Sequence, residues 1–294
     1  MTTPAREIYW ILGVLLAVVS IASGIGQLLR RRHPQSAAIA NLNARIGAWW
    51  VLIAVGGAAW LTGPIGILLL FAFISVASLL EFLNGVLTRP LMVLCVMLAV
   101  PGQYLMIGSW IPACGFLALA VFVSGGDRKR LTGTLLGLML CVFGLSHIPA
   151  LAMLPIPGFE GRAPLLMAFV VLIAQVSDVL QYVWGKLIGR RQLLPTLSPS
   201  KTMEGLVGGV LSVTALGLLL SPLTPFTRWQ AAAMAFVIAI CGFLGGVAMS
   251  AIKRDRGLKD WSQLIAGHGG MLDRVDSLCV SAPVFFYVTR YFLA

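Results

Sequence analysis

Residues 65–84 read IGILLLFAFISVASLLEFLN, and Glu81 is the single charged side chain in this apolar run. Because an α-helix rises about 1.5 Å per residue, about 20 such residues cross the hydrocarbon core of a bilayer. The whole chain of 294 residues has a similar composition, with 59% hydrophobic and only 11% charged residues. A typical soluble domain has about 25% charged residues. The sequence therefore excludes a soluble globular protein, a disordered chain and a disulfide scaffold, and it predicts an all-α polytopic membrane protein.

Ten apolar runs of comparable length predict about ten transmembrane helices. The runs cover approximately residues 8–29, 46–62, 65–84, 91–108, 110–126, 131–154, 164–185, 205–221, 229–250 and 277–293. Two pairs of runs are separated only by short turns, at residues 62–64 and near residues 108–109. If either pair is re-entrant, the number of spans falls to eight or nine.

The distribution of basic residues supports this topology. The chain has 21 Lys and Arg against 10 Asp and Glu, which gives a formal net charge of +11. With the amino terminus outside, 17 of the 21 basic residues fall in inside loops, as the positive-inside rule requires. Topology thus explains the charge, and the sequence contains no nucleic-acid-binding motif. Short loops favour a bacterial inner (cytoplasmic) membrane, with an organelle membrane left open.

The polar residues of the second half are concentrated in two inside loops. These loops cover about residues 186–204 and 251–276 and have mixed charge and several glycines. Short turns would be enough to join helices, so longer polar loops indicate a functional site. We therefore expect N-terminal transmembrane helices over residues 1–160 and a C-terminal transmembrane catalytic region over residues 161–294, with its site facing the cytoplasm.

Two motifs lie in and beside these loops. The first consists of Ser250, Lys253-Arg254, Lys259-Asp260, Ser262, His268-Gly269-Gly270, Asp273-Arg274 and Asp276. The second consists of Asp178, Tyr182, Gly185-Lys186, Ser198-Pro199 and Lys201-Thr202, followed by Glu204-Gly205. Together they resemble the signature of the CDP-diacylglycerol synthase (phosphatidate cytidylyltransferase) family over roughly residues 165–294. The signature of the CDP-alcohol phosphotransferases is absent from the sequence.

The resemblance implies an enzyme of phospholipid biosynthesis. The family reaction joins CTP and phosphatidic acid, or a related lipid phosphate, to give CDP-diacylglycerol and pyrophosphate. Both reactants are strongly negative, so neutralisation of charge is the main requirement of the site. The resemblance also implies Mg²⁺ as the cofactor, since Mg²⁺ binds carboxylates together with substrate phosphates. A second, monovalent cation and a homodimer are left open.

The resemblance assigns roles to the residues at matching positions. The expected metal ligands are Asp273, Asp276 and Asp178. The expected catalytic residues are Lys253, Arg254, Lys259, Asp260, His268 and Arg274. The expected substrate-binding residues are Ser198, Lys201, Thr202, Ser250, Gly269 and Gly270. Taken singly, a basic residue at an inner helix end is usually a topology anchor, and a Gly-Gly pair is usually a turn. Only the spacing of all these residues taken together favours a functional site.

The chain departs from the family pattern just before Lys253. Gly246 stands where family members carry an Asp that binds metal, and Met249 stands where they carry a Glu. Ala266 replaces the usual Pro or Gly. The alternative function is therefore a weakened or non-catalytic relative that binds nucleotide or anionic lipid. A transporter is a third hypothesis, but only Asp178 and Glu81 come near to intramembrane charges, and both lie close to the inside face.

Overall fold

The structure is a computed structural model that describes residues 6–32, 34–264 and 269–294. These parts contain twelve α-helices, one π-helical segment, one short 3₁₀ helix (Ser221–Leu223) and one short hairpin. The helices of the N-terminal half are α1 (Arg6–Arg32), α2 (Ala37–Leu61), α3 (Gly63–Leu83), α4 (Arg89–Leu105), α5 (Ile111–Ser124), α6 (Arg128–Gly137) and α7 (Leu145–Leu151). The rest are α8 (Pro164–Ile188), α9 (Met203–Leu220), α10 (Arg228–Asp255), α11 (Leu272–Val275) and α12 (Leu278–Leu293).

A helical segment accounts for each of the ten apolar runs, so the prediction of an all-α polytopic membrane protein is confirmed. Within the described residues, five segments are long and apolar enough to cross a membrane by length and composition. These are Gly63–Leu83, Arg128–Leu151, Pro164–Ile188, Met203–Leu223 and Arg228–Asp255. Shorter apolar helices cover Trp49–Leu61, Arg89–Leu105 and Ile111–Ser124. The chain is thus an integral membrane protein.

Four helices of the C-terminal half, α8, α9, α10 and α12, pack against one another. Small residues allow the close contact between α8 and α9. A Cβ atom built on Gly209 of α9 would lie 2.8 Å from the backbone nitrogen of Gln181 in α8. Small residues at helix crossings are typical of membrane proteins, because association there depends on close van der Waals packing. A capping box of Thr227 and Gln230 starts α10.

The polar loop after α8 folds into a two-stranded antiparallel hairpin, β1 (Gln192–Leu194) and β2 (Ser198–Thr202). Strand β2 leads directly into α9, where the Thr202 hydroxyl accepts a hydrogen bond from the Gly205 N–H at 3.1 Å. The Glu204 carboxylate accepts the backbone N–H groups of Arg190 and Arg191 at 3.0 and 3.2 Å. The hairpin is thus tied to both flanking helices.

The run predicted over residues 131–154 is not one regular α-helix. It consists of α6, a π-helical segment over Leu138–Gly144, and α7. This irregular rod connects the two halves, since it packs on α3 and on α12. Gly144 lies directly against the backbone of Cys279 in α12, so a side chain there would displace one helix from the other. The close contact accounts for a glycine in the middle of a span.

We expect Gly144→Ala to destabilise the protein, because its methyl group would overlap the carbonyl of Cys279. Overpacking of this kind typically costs about 1–3 kcal/mol. The apparent Tm of the detergent-solubilised protein should fall by several degrees. Gly57→Ala is the matched control, since Gly57 also lies within a helix but has no atom within 4 Å of a built Cβ. An unchanged Tm for Gly144→Ala would contradict the packing of α12 on this rod.

Candidate active site

A buried ion pair joins the end of α10 to α11. Nζ of Lys253 donates to Oδ1 of Asp273 at 2.7 Å, and the two side chains are only 12% and 6% exposed. Oδ2 of Asp273 accepts two further bonds, from the backbone N–H of Trp261 and of Gly270, each at 2.9 Å. Asp273 therefore shapes the loop that carries it, whether or not it also binds a metal.

The glycine pair of the same loop is crowded by two carboxylates. Gly269 has φ +80°, a left-handed conformation that favours glycine, and a built Cβ would lie 2.8 Å from Oδ2 of Asp273. A Cβ on Gly270 would lie 2.6 Å from an oxygen of Glu81. Packing against these carboxylates accounts for both glycines, and their role as a phosphate cradle stays a prediction.

Glu81, near the C-terminal end of α3, was not among the expected site residues. Oε1 of Glu81 accepts the Ser262 hydroxyl at 2.6 Å and the Met271 N–H at 2.9 Å, while Oε2 accepts the Leu272 N–H at 2.9 Å. The sequence carried one signal of this role, because an acidic residue in an apolar span needs a partner. The partner itself lies far along the chain, so sequence reasoning did not identify it.

A second group of charges lies between β2, α8 and the start of α12. It consists of Lys201, Asp178 and Asp276, which interact electrostatically with one another. Burial lowers the pKa of Lys201, and the charges of Asp276 and Asp178 oppose that shift. Burial also raises the pKa of Asp276, against the opposing effect of Lys253 and Lys201. Lys201 thus favours the charged form of both carboxylates, whereas the two carboxylates repel each other.

Gly246 of α10 faces this second group. A Cβ built on Gly246 would lie 3.0 Å from Nζ of Lys201 and 3.7 Å from Oδ2 of Asp276. The ammonium of Lys201 also lies 4.8 Å from the centre of the Phe243 ring, within cation–π distance. The position that lacks the family carboxylate therefore borders the site, and Lys201 lies beside it.

The remaining expected residues have varied surroundings. Lys259, Asp260 and Arg254 are exposed, and the Arg254 guanidinium donates to the carbonyl of Leu258 at 2.9 Å. The Ser250 hydroxyl donates to the carbonyl of Gly246 at 2.7 Å, a bond within α10.

Ser198 is partly buried at the start of β2. The backbone carbonyl of Arg274 accepts a bond from the Gln175 side chain at 3.1 Å. His268 and Ala266 lie outside the described residues.

The carboxylates of the site allow a test of whether a metal fits. Among the described residues, no three His, Cys, Asp or Glu side chains lie close enough together to hold an ion by themselves. Mg²⁺ does not require a complete protein cage, since one or two carboxylates with substrate phosphates and waters are its usual ligands. Asp178 and Asp276 lie close enough to interact and supply such a pair. The donor set therefore fits Mg²⁺ bound together with a phosphate substrate.

Comparisons with known proteins agree with the motifs. The sequence model of the cytidylyltransferase family matches residues 43–292. The chain is 38% identical to an uncharacterized protein, YnbB, of Escherichia coli (strain K12), over 95% of this chain and 97% of that protein. It is 40% identical to the phosphatidate cytidylyltransferase of Mycobacterium leprae (strain TN), over 44% of this chain and 45% of that enzyme. The phosphatidate cytidylyltransferase of Brucella abortus biovar 1 (strain 9-941) is 31% identical, over 63% of this chain and 65% of that enzyme. The chain therefore belongs to the cytidylyltransferase family, as a divergent relative of the phosphatidate cytidylyltransferases.

Proposed function

We propose that the protein is a membrane-embedded nucleotidyltransferase that condenses CTP with phosphatidic acid, or a related lipid phosphate, to CDP-diacylglycerol and pyrophosphate. One observation carries the proposal. Nζ of Lys201 in the second motif and Oδ2 of Asp276 in the first lie 3.0 and 3.7 Å from a Cβ built on Gly246, although 75 positions separate the two residues in the chain. Residues of the two motifs thus meet beside α10.

The reaction needs cations more than it needs a base. A phosphate oxygen of the lipid is already anionic near neutral pH, and it attacks the α-phosphorus of CTP. The new P–O bond forms as the bond to the β-phosphate oxygen breaks, and pyrophosphate leaves with that electron pair. Lys201 and Lys253 are the cations at the site, and their charge would offset repulsion between the two anionic reactants. Arg254, Lys259 and Arg274 are further candidates for phosphate contacts.

We include Mg²⁺ in the proposal, held by Asp178 and Asp276 with substrate phosphate. The ion would neutralise charge on the transferring phosphoryl group and help to orient it. Asp273 is a weaker candidate than the sequence predicts, because Lys253 and two backbone N–H groups already occupy its oxygens. The proposed partners are CTP from the cytoplasm and an anionic lipid from the inner leaflet of a bacterial inner membrane.

The alternative of a weakened relative rests on Gly246. A carboxylate at that position would lie between Lys201 and Asp276, so its absence removes one negative charge from the site. Fewer carboxylates then balance the positive charge of Lys201. The structure retains Lys201, Lys253, Asp178 and Asp276 around the vacant position, which supports an active site over an inert one.

Replacement of a site lysine tests the proposal directly. We expect Lys201→Met to lower CDP-diacylglycerol formation from labelled CTP and phosphatidic acid by about 100-fold or more, since loss of one electrostatic contact to a transition state costs about that much. Lys129→Met is the matched control, because Lys129 is an exposed lysine beside the start of α6 and should leave the activity unchanged. Equal activity of the two variants would contradict a role for Lys201.

Gly246→Asp tests the missing carboxylate. We expect the variant to reach half-maximal activity at about tenfold lower Mg²⁺ than the native chain, because the new carboxylate adds a ligand and a negative charge. Gly246→Ala separates this effect from crowding against Lys201, since it adds the Cβ alone. An unchanged Mg²⁺ dependence in Gly246→Asp would count against metal binding at this position. Inactivity of both the native chain and Gly246→Asp would favour the alternative of a non-catalytic relative that binds nucleotide or anionic lipid.

A further inference from the structure

The Glu81 carboxylate binds the last polar loop at two separated points. Ser262 lies before the glycine pair, and the N–H groups of Met271 and Leu272 lie after it. Two of the three donors are backbone N–H groups, so the geometry of the loop backbone depends on the Glu81 carboxylate. Hydrogen bonds to an ionised carboxylate are shorter and stronger than neutral ones.

The next residue of α3 makes an independent contact with the same loop. The Phe82 ring stacks on Trp261 with 5.1 Å between centroids and 29° between planes. The Arg256 guanidinium lies 4.4 Å from the Phe82 ring and 5.3 Å from the Trp261 ring, and it donates to the Phe82 carbonyl. Polar and aromatic contacts thus hold the loop on the inner end of α3.

The contacts of Glu81 lead directly to the proposed site. Leu272 begins α11, and the following residue, Asp273, pairs with Lys253. Asp273 also accepts the N–H groups of Trp261 and Gly270, so a second carboxylate holds the same loop. Both carboxylate oxygens of Glu81 accept hydrogen bonds from the loop itself. We therefore assign Glu81 no direct contact with a reacting group.

We propose that Glu81 is a positioning residue of the cytidylyltransferase site: it holds Ser262 and the backbone of Met271 and Leu272, next to the glycine pair, in the positions that receive the nucleotide phosphates. The N-terminal half thereby contributes to a site whose motifs all lie in the C-terminal half. This inference rests on the proposed function for its kinetic part. Its structural part, the anchoring of the loop on α3, is independent of catalysis.

The structural part is tested by amide hydrogen exchange on the full-length protein in detergent, without substrate. We expect Glu81→Gln to raise the exchange rate of peptides covering residues 269–274 by about tenfold, because an amide side chain has one acceptor oxygen in place of two. Glu160→Gln is the matched control, since Glu160 is exposed and accepts the Gly158 N–H of its own turn. Exchange at residues 269–274 that is equal in the two variants would overturn the proposal.

The kinetic part separates positioning from a general loss of stability. We expect Glu81→Gln to raise KM for CTP by about tenfold, with KM for phosphatidic acid unchanged, since a displaced loop binds the nucleotide less well. A smaller folded fraction would lower kcat alone and leave both KM values as they are, and that result would overturn the proposal. Ser262→Ala removes one of the three bonds, so it should show the same effects at smaller size.

Two further outcomes are informative. If Glu81→Gln does not accumulate as folded protein, Ser262→Ala carries the test, and normal exchange and normal KM for CTP in that variant would overturn the proposal. If the native chain forms no CDP-diacylglycerol, the proposed function fails. Faster loop exchange in Glu81→Gln alone would still support the anchoring of the loop on α3.

Discussion

Hydrocarbon offers no hydrogen-bond partners, and this constraint organises the protein. Backbone groups inside a bilayer must be satisfied within the chain, so the apolar runs form helices. Ionisable groups are costly in the same environment unless they meet partners. Glu81 of α3 and Lys253 of α10 accordingly lie near helix ends, where they reach polar loops, and Asp178, in the middle of α8, interacts with Lys201. The position of the site follows from where the membrane tolerates charge.

Carboxylates have a structural task at this site as well as a chemical one. Asp273 and Glu81 between them accept backbone N–H groups of Trp261, Gly270, Met271 and Leu272. A glycine-rich loop has much conformational freedom to lose, so fixed contacts of this kind lower the cost of presenting it to a substrate. Asp178 and Asp276 remain the better candidates for contact with a cation.

Gly246 distinguishes this chain from the family pattern without removing the charges around it. Lys201 lies beside the glycine and interacts with Asp178 and Asp276. Because the site has one carboxylate fewer, it is more strongly positive before a substrate binds. A phosphate substrate brings negative charge that offsets this excess. Such a balance favours anionic ligands, and it leaves fewer protein oxygens for the proposed Mg²⁺.

The sequence by itself determined the all-α membrane fold, the approximate helix bounds and the family, because apolar runs and motif spacing are local properties of the chain. It also predicted Lys201, Lys253, Asp273 and Asp276 as candidate site residues, and the structure places them in two adjoining groups. Only the tertiary structure revealed the role of Glu81, which lies 190 positions before the Met271 N–H that it accepts. A contact between residues so far apart depends on how α3 packs against the rest of the protein, and no local pattern encodes that packing.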